Sequence, residues 1–141
     1  MGYHMDYCHY RKEGTIYNIL VVEGKPILEI ELTSALTEND FNVASAPDYY
    51  EALWSLDAFR PDLVIMNVDL PLLDGWEACY RLREIFGFPV ILLGGDTSDI
   101  TWVRAVQAGA DFYLKVPFNW QELSARVKAI LRRYKRVKSA L

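Results

Sequence analysis

Leu63-Val64-Ile65-Met66 puts four apolar side chains in a row, headed by Pro61-Asp62 and ended by Asn67. A run without alternation reads as a strand covered on both faces, and the cover has to come from helices packed above and below a sheet. Past Asn67 come Val68, the acid Asp69, a Leu70-Pro71 step and an Asp74-Gly75 turn signal, before a helical pattern opens at Trp76. A polar residue at the carboxyl end of a buried strand stands where an open α/β sheet places its functional groups. Here that residue is Asn67, an uncharged amide.

The same grammar repeats along the chain. Asn18–Val22 reads as a short buried strand, with Glu23-Gly24-Lys25 after it and Pro26 suited to the first turn of a helix. Leu28, Leu32, Ala35 and Leu36 recur at helical spacing, Asn39-Asp40 turns the chain, and Phe41 to Ala46 gives a second strand. Tyr49, Ala52, Leu53 and Leu56 mark a second helix, capped near Asp48 and ended at Arg60-Pro61-Asp62. Ala78, Leu82, Ile85 and Phe86 form a third helical stripe, and Pro89 to Leu93 a fourth strand. Gly94 to Ser98 is a loop that caps a fourth helix with the stripe Ile100, Val103 and Val106, closed by Gly109 as a left-handed C′ residue. Phe112 to Lys115 is a fifth strand, broken by Val116-Pro117-Phe118. Asn119, with Glu122 three residues on, opens a fifth helix lined by Leu123, Val127, Ile130 and Leu131. Five strand–helix alternations predict a doubly wound α/β domain with a parallel five-stranded sheet and five helices.

Composition narrows the function classes. A chain of 141 residues is one domain in size, and 52% hydrophobic residues suffice for a core. A net charge of −4 argues against a nucleic-acid surface spread over the whole domain. Cys8 and Cys79 are too few for a disulfide framework, which fits a reduced, cytoplasmic setting. No apolar run reaches the roughly 18 residues of a membrane span. Met1 to Tyr17 has no periodicity and reads as an N-terminal extension, in part a tag around Met1 to Met5, with Met5 as an alternative start. His4, Cys8 and His9 within it do not have metal-ligand spacing, so no metal and no cofactor is expected.

Several segments in order carry a family resemblance: Ile19-Leu20-Val21-Val22, Pro61-Asp62-Leu63-Val64-Ile65, Leu70-Pro71 with Asp74-Gly75, Pro89-Val90-Ile91, and Gly109-Ala110-Asp111 through Tyr113-Leu114 to Pro117-Phe118. From Ile19 to about Arg133 the chain resembles the receiver domain of bacterial two-component response regulators, the CheY-like family. The resemblance implies a flavodoxin-like sheet of order 2-1-3-4-5, a signalling module rather than an enzyme, and a site at the carboxyl edge of the sheet. It sets the receiver-like domain at 18–135, with the end of a linker at 136–141. The ending Glu122 to Arg133 is similar to the last receiver helix of the winged-helix (OmpR-like) subgroup, in which a DNA-binding domain follows. That implies a receiver cut from a longer transcription regulator, with a stand-alone receiver as the alternative. DNA would be reached through the effector domain, and the basic end Arg132, Arg133, Lys135, Arg136 and Lys138 reads as a solvated last turn and linker.

Carried over residue by residue, the family's phosphorelay chemistry meets gaps. The phosphoacceptor acid falls on Asn67, and a carboxamide oxygen is a far poorer nucleophile than a carboxylate. The acidic, metal-binding pair falls on Glu23 and Gly24, the switch hydroxyl on Gly94, and the active-site Lys on Val116. Lys115, one residue earlier, should point to the other side of its strand. The switch aromatic is retained as Tyr113, and Val116-Pro117 matches a peptide bond that is commonly cis. The chain is therefore expected to be a pseudo-receiver that works without phosphorylation, with Asn67 as a hydrogen-bonding plug toward Glu23 or Lys25. The alternatives are a phosphoacceptor relocated to Asp69, or a flavodoxin-like binder of a small ligand. The resemblance also implies a homodimer through the fourth helix, fifth strand and fifth helix. Asp111, Glu122 and Arg126 match that face, and Trp102 and Phe112 depart from it. Trp102, off the Val103–Val106 stripe, is expected to point outward. A histidine kinase or another signalling protein is the further partner, and no membrane is expected.

Overall fold

The computed structural model describes residues 16–140, with side chains through Tyr134. The bulk of the expected extension, including His4, Cys8 and His9, lies outside them. The elements alternate as expected: β1 (Asn18–Val22), α1 (Pro26–Glu38), β2 (Asn42–Ala46), α2 (Tyr49–Phe59), β3 (Leu63–Asn67), α3 (Gly75–Ile85), β4 (Val90–Gly94), α4 (Asp99–Gln107), β5 (Phe112–Lys115) and α5 (Trp120–Ala140). All strand pairs are parallel, in the order β2-β1-β3-β4-β5.

Period-two alternation splits every buried strand between two cores. Leu20, Val22, Val64, Met66, Val90, Leu92 and Tyr113 face α2, α3 and α4. Ile19, Val21, Leu63, Ile65, Ile91, Leu93 and Leu114 face α1 and α5. The side chains of Leu63–Met66 are fully buried, which is why that run carries no polar residue before Asn67.

Four helix starts carry side-chain caps, while α1 opens on Pro26 without one. Asp48 accepts from the amide of Glu51 at 2.9 Å, Asp74 from Glu77 at 2.9 Å, Ser98 from Thr101 at 3.4 Å and Asn119 from Glu122 at 3.2 Å. Each is worth about 1 kcal/mol. Gly109 has the left-handed φ of 83° expected of it.

Two helical faces differ from the expectation. On α4, the stripe Ile100, Val103 and Val106 is exposed at 78%, 55% and 75%, while Thr101 and Ala105 are buried. The inward residues are small because α4 lies close over β5 and α3, and the large aliphatics are left outside. On α3, Cys79 is buried with Ala78 and Leu82, Ile85 is exposed, and Phe86 is the C-cap rather than a helical residue. The α5 stripe of Leu123, Val127, Ile130 and Leu131 is buried as expected, and the helix continues to Ala140.

Candidate functional site at the strand tips

Parallel order brings the ends of β1, β3, β4 and β5 to one edge of the sheet. Glu23 follows β1, Asn67 ends β3, Gly94 ends β4 opposite Lys115, and Val116 follows β5. Glu23 and Asn67 are each only 2% exposed. The Asn67 Nδ2 donates to Glu23 Oε1 at 2.7 Å, and its Oδ1 accepts from the Asp69 amide at 2.8 Å. Only this orientation of the amide serves both partners, since Glu23 offers an acceptor and the backbone a donor. The second Glu23 oxygen accepts from the Lys25 amide at 3.0 Å. The Lys25 ammonium reaches Asp69 Oδ2 at 2.9 Å, and this hydrogen bond, with the nearby carboxylates, raises the Lys25 pKa. Both ends of that ion pair are well exposed, so it orients the loops more than it stabilises them.

The arrangement closes a ring from β1 through Lys25 to the β3–α3 loop and back through Asn67. A charge-assisted bond such as Asn67–Glu23 contributes about 1.5–3 kcal/mol, against the penalty of a buried carboxylate. At the end of β3 the ring presents a carboxamide, a far poorer nucleophile than a carboxylate. Magnesium takes a near-octahedral oxygen shell. Here both Glu23 oxygens are engaged by hydrogen-bond donors and Asp69 is neutralised by an ammonium, so the donor set does not fit such an ion. Among the described residues no group of three His, Cys, Asp or Glu side chains could hold a metal.

The volume of the missing side chains is filled by neighbours. A Cβ on Gly24 would lie 3.0 Å from Pro71 Cδ and 3.2 Å from the Pro47 carbonyl. A Cβ on Gly94 would collide with the Tyr113 hydroxyl. Tyr113 is buried against Trp76 and Trp102, and burial pushes its phenol above the ordinary value. The Asp96 backbone nearby does not complete a hydrogen bond to it. Lys115 is exposed while Val116 packs on the α1–α5 side, so the two leave opposite faces of β5. The Val116–Pro117 peptide is cis. Space near Val116 opens instead into a groove of about 460 Å³ against α1, lined by Leu28, Phe118 and Trp120.

The residues expected on the pairing face fare unequally. Trp102 is 42% exposed, but its ring packs against Phe112 at 6.0 Å and Tyr113 at 5.8 Å, so it points only partly outward. Arg126 lies over the Phe112 ring at 4.3 Å, and Glu122 is exposed. Asp111 turns inward: it accepts from the Val90 amide and the Tyr134 hydroxyl, both at 2.9 Å, and lies 3.5 Å from Arg83 Nη1. The alternation that would have put Asp111 outside ends at the first residue of β5, and the free Val90 amide captures the carboxylate. Sequence reasoning missed this hub and the Tyr113–Gly94 contact. The second had a signal, since a glycine ending a buried strand marks close approach.

Comparison with known proteins agrees with this geometry. The sequence profile described as "Response regulator receiver domain" matches residues 19–128. The response regulator protein GraR of Staphylococcus aureus is 36% identical over 115 residues, which are 82% of this chain and 51% of GraR. The chain thus spans about half the length of the curated relatives it matches. A putative response regulator from Chloroflexus aurantiacus superposes with a TM-score of 0.78 at 30% identity, covering 84% of this chain and 99% of that one. The BeF3-activated receiver domain of Klebsiella pneumoniae RstA gives a TM-score of 0.77 at 29% identity, covering 82% and 98%. With its fold, its sheet order and its sequence in agreement, the chain belongs to the response regulator receiver domain family of two-component signalling.

Proposed function

We propose that this receiver signals without phosphoryl transfer, as the regulatory and pairing module of a cytoplasmic transcription regulator in the OmpR-like subgroup. The observation that carries this reading is the Asn67 amide, bonded on one side to Glu23 and on the other to the Asp69 backbone. A carboxamide engaged at both its nitrogen and its oxygen does not supply the carboxylate nucleophile that acyl-phosphate chemistry needs. The output is pairing with a second copy through α4, β5 and α5, where Ile100, Val103 and Val106 are exposed beside Glu122 and Arg126. A histidine kinase remains a docking partner rather than a phosphoryl donor, and DNA is bound by a further domain. Among the described residues no helix is long and apolar enough to cross a membrane.

A second reading has one observation in its favour: Asp69, two residues past Asn67, keeps a carboxylate side chain 73% exposed at the same edge. Acetyl phosphate with magnesium, followed by intact mass, separates the two. No phosphoryl adduct is expected on the wild-type chain. An adduct overturns the proposal, and one that disappears in Asp69→Asn assigns the chemistry to Asp69.

A further inference from the structure

The end of β4 is occupied from the side. Tyr113 is 1% exposed, its hydroxyl would collide with a Cβ on Gly94, and Val68 Cγ2 is only 2.9 Å from that same position. Among the described residues the hydroxyl finds no hydrogen-bond partner. A phenol left unpaired inside a protein is unfavourable, and swinging the ring outward would give it water. The ring nevertheless stays in. Trp76 of α3 stacks on it at 5.7 Å with planes 10° apart, and Trp102 of α4 meets it at 5.8 Å edge-on. The run extends at both ends, with Arg104 4.8 Å over Trp76 and Phe112 against Trp102 with Arg126 above it. Six side chains from α3, α4, β5 and α5 form one continuous column, Arg104–Trp76–Tyr113–Trp102–Phe112–Arg126. It starts beside the strand tips and ends on the α4–β5–α5 face.

We infer that Gly94 and Tyr113 form an interlock that fixes α4 against the sheet, so that the pairing face is preset rather than switched from the strand tips. With the ring placed inward, a Cβ at position 94 would meet both the Tyr113 hydroxyl and Val68 Cγ2. With the ring in, Trp102 packs on both Tyr113 and Phe112, and the turn of α4 that carries Trp102 and Val103 cannot shift without breaking these two aromatic contacts. The regulatory half of this inference rests on the proposed pairing, whereas the interlock rests on packing alone.

The test is a double-mutant cycle on the 141-residue chain, read by urea unfolding and by sedimentation. Gly94→Thr, with Gly94→Ala as the milder form, is made in the wild-type and Tyr113→Ala backgrounds. The side chain at 94 should lower the folding constant about ten-fold more when Tyr113 is present than when it is not. Tyr113→Phe, which keeps the ring and removes the orphaned hydroxyl, should unfold at higher urea than wild type and pair as wild type does. Gly94→Ala should change the near-ultraviolet circular dichroism of the aromatic column and weaken pairing about ten-fold. An equal cost at position 94 in both backgrounds overturns the interlock. Strong coupling with undiminished pairing overturns the preset face. A wild-type chain that stays monomeric at high micromolar concentration overturns the pairing reading and the preset face with it, while the folding cycle still decides the interlock.

Discussion

Asn67 shows how one atom substitution reorganises a site. Its amide donates 2.7 Å to a Glu23 carboxylate that is 2% exposed. Asn67→Asp would set two carboxylates against each other out of water, so a single proton is shared between them in the folded chain. The unfolded chain ionises both acids near pH 4, so above that pH the fold binds the extra proton. Stability is then lost as pH rises. Urea unfolding of Asn67→Asp should show a loss of about 1–3 kcal/mol against wild type near neutral pH, shrinking toward pH 4 to 5. A loss that does not shrink on acidification would mean the pair is not what destabilises the variant. Cys79 gives a second residue-scale outcome. Burial pushes its thiol up to about 12, and its Sγ donates to the Ala108 carbonyl at 3.3 Å. In a Cys8→Ser chain at about pH 8, an alkylating reagent should leave the native protein unlabelled and label it in urea. Rapid labelling of the folded chain would show that the α3–α4 seam opens.

At the scale of elements, the strands and helices were legible, but the inward faces of α3 and α4 were not. Leu63–Met66 and Val90–Leu93 are short, β-branched apolar runs, each headed by a proline or a Pro-Asp step, which favours a doubly covered strand over a helix. Helix α5 declared its inward face through four large aliphatics. Helix α4 misled because Ile100, Val103 and Val106 repeat at helical spacing yet lie outside, and Thr101 and Ala105, which face inward, carry too little hydrophobic weight to be noticed. Asp111 misled for another reason, since a charged residue at the edge of a strand looks solvated until the neighbouring amide that captures it is known. The candidate site was legible position by position, but the tie between Lys25 and Asp69 was not, because it crosses two loops. Asp111 links the starts of β4 and β5 to α5 through Val90 and Tyr134. Asp111→Ala should therefore destabilise the monomer by about 2 kcal/mol in urea unfolding, while Glu122→Ala should stay within about 0.5 kcal/mol. Equal effects would return Asp111 to the surface.

For the whole molecule, the question is what kind of force would join two copies. A receiver paired by ion pairs across its face should come apart in salt, because exposed charges are screened beyond about 3 Å at 1 M ionic strength. In this chain much of the charge near that face is engaged internally, Asp111 on Val90 and Tyr134, Arg104 on Trp76 and Arg126 on Phe112, while Glu122 stays exposed. Beside that one acid, the aliphatic ridge of α4 is turned outward. Apolar burial does not weaken with ionic strength, and salts excluded from protein surfaces strengthen it. Sedimentation between about 0.1 and 1 M sodium chloride should show pairing that holds or tightens. Val103→Glu or Val106→Glu should abolish it with little change in unfolding, since both side chains are already more than half exposed. Trp102→Ala should instead lower stability as well as pairing, because its ring packs on Phe112 and Tyr113. Pairing that dissolves in salt and survives the ridge substitutions would locate the interface on charges elsewhere.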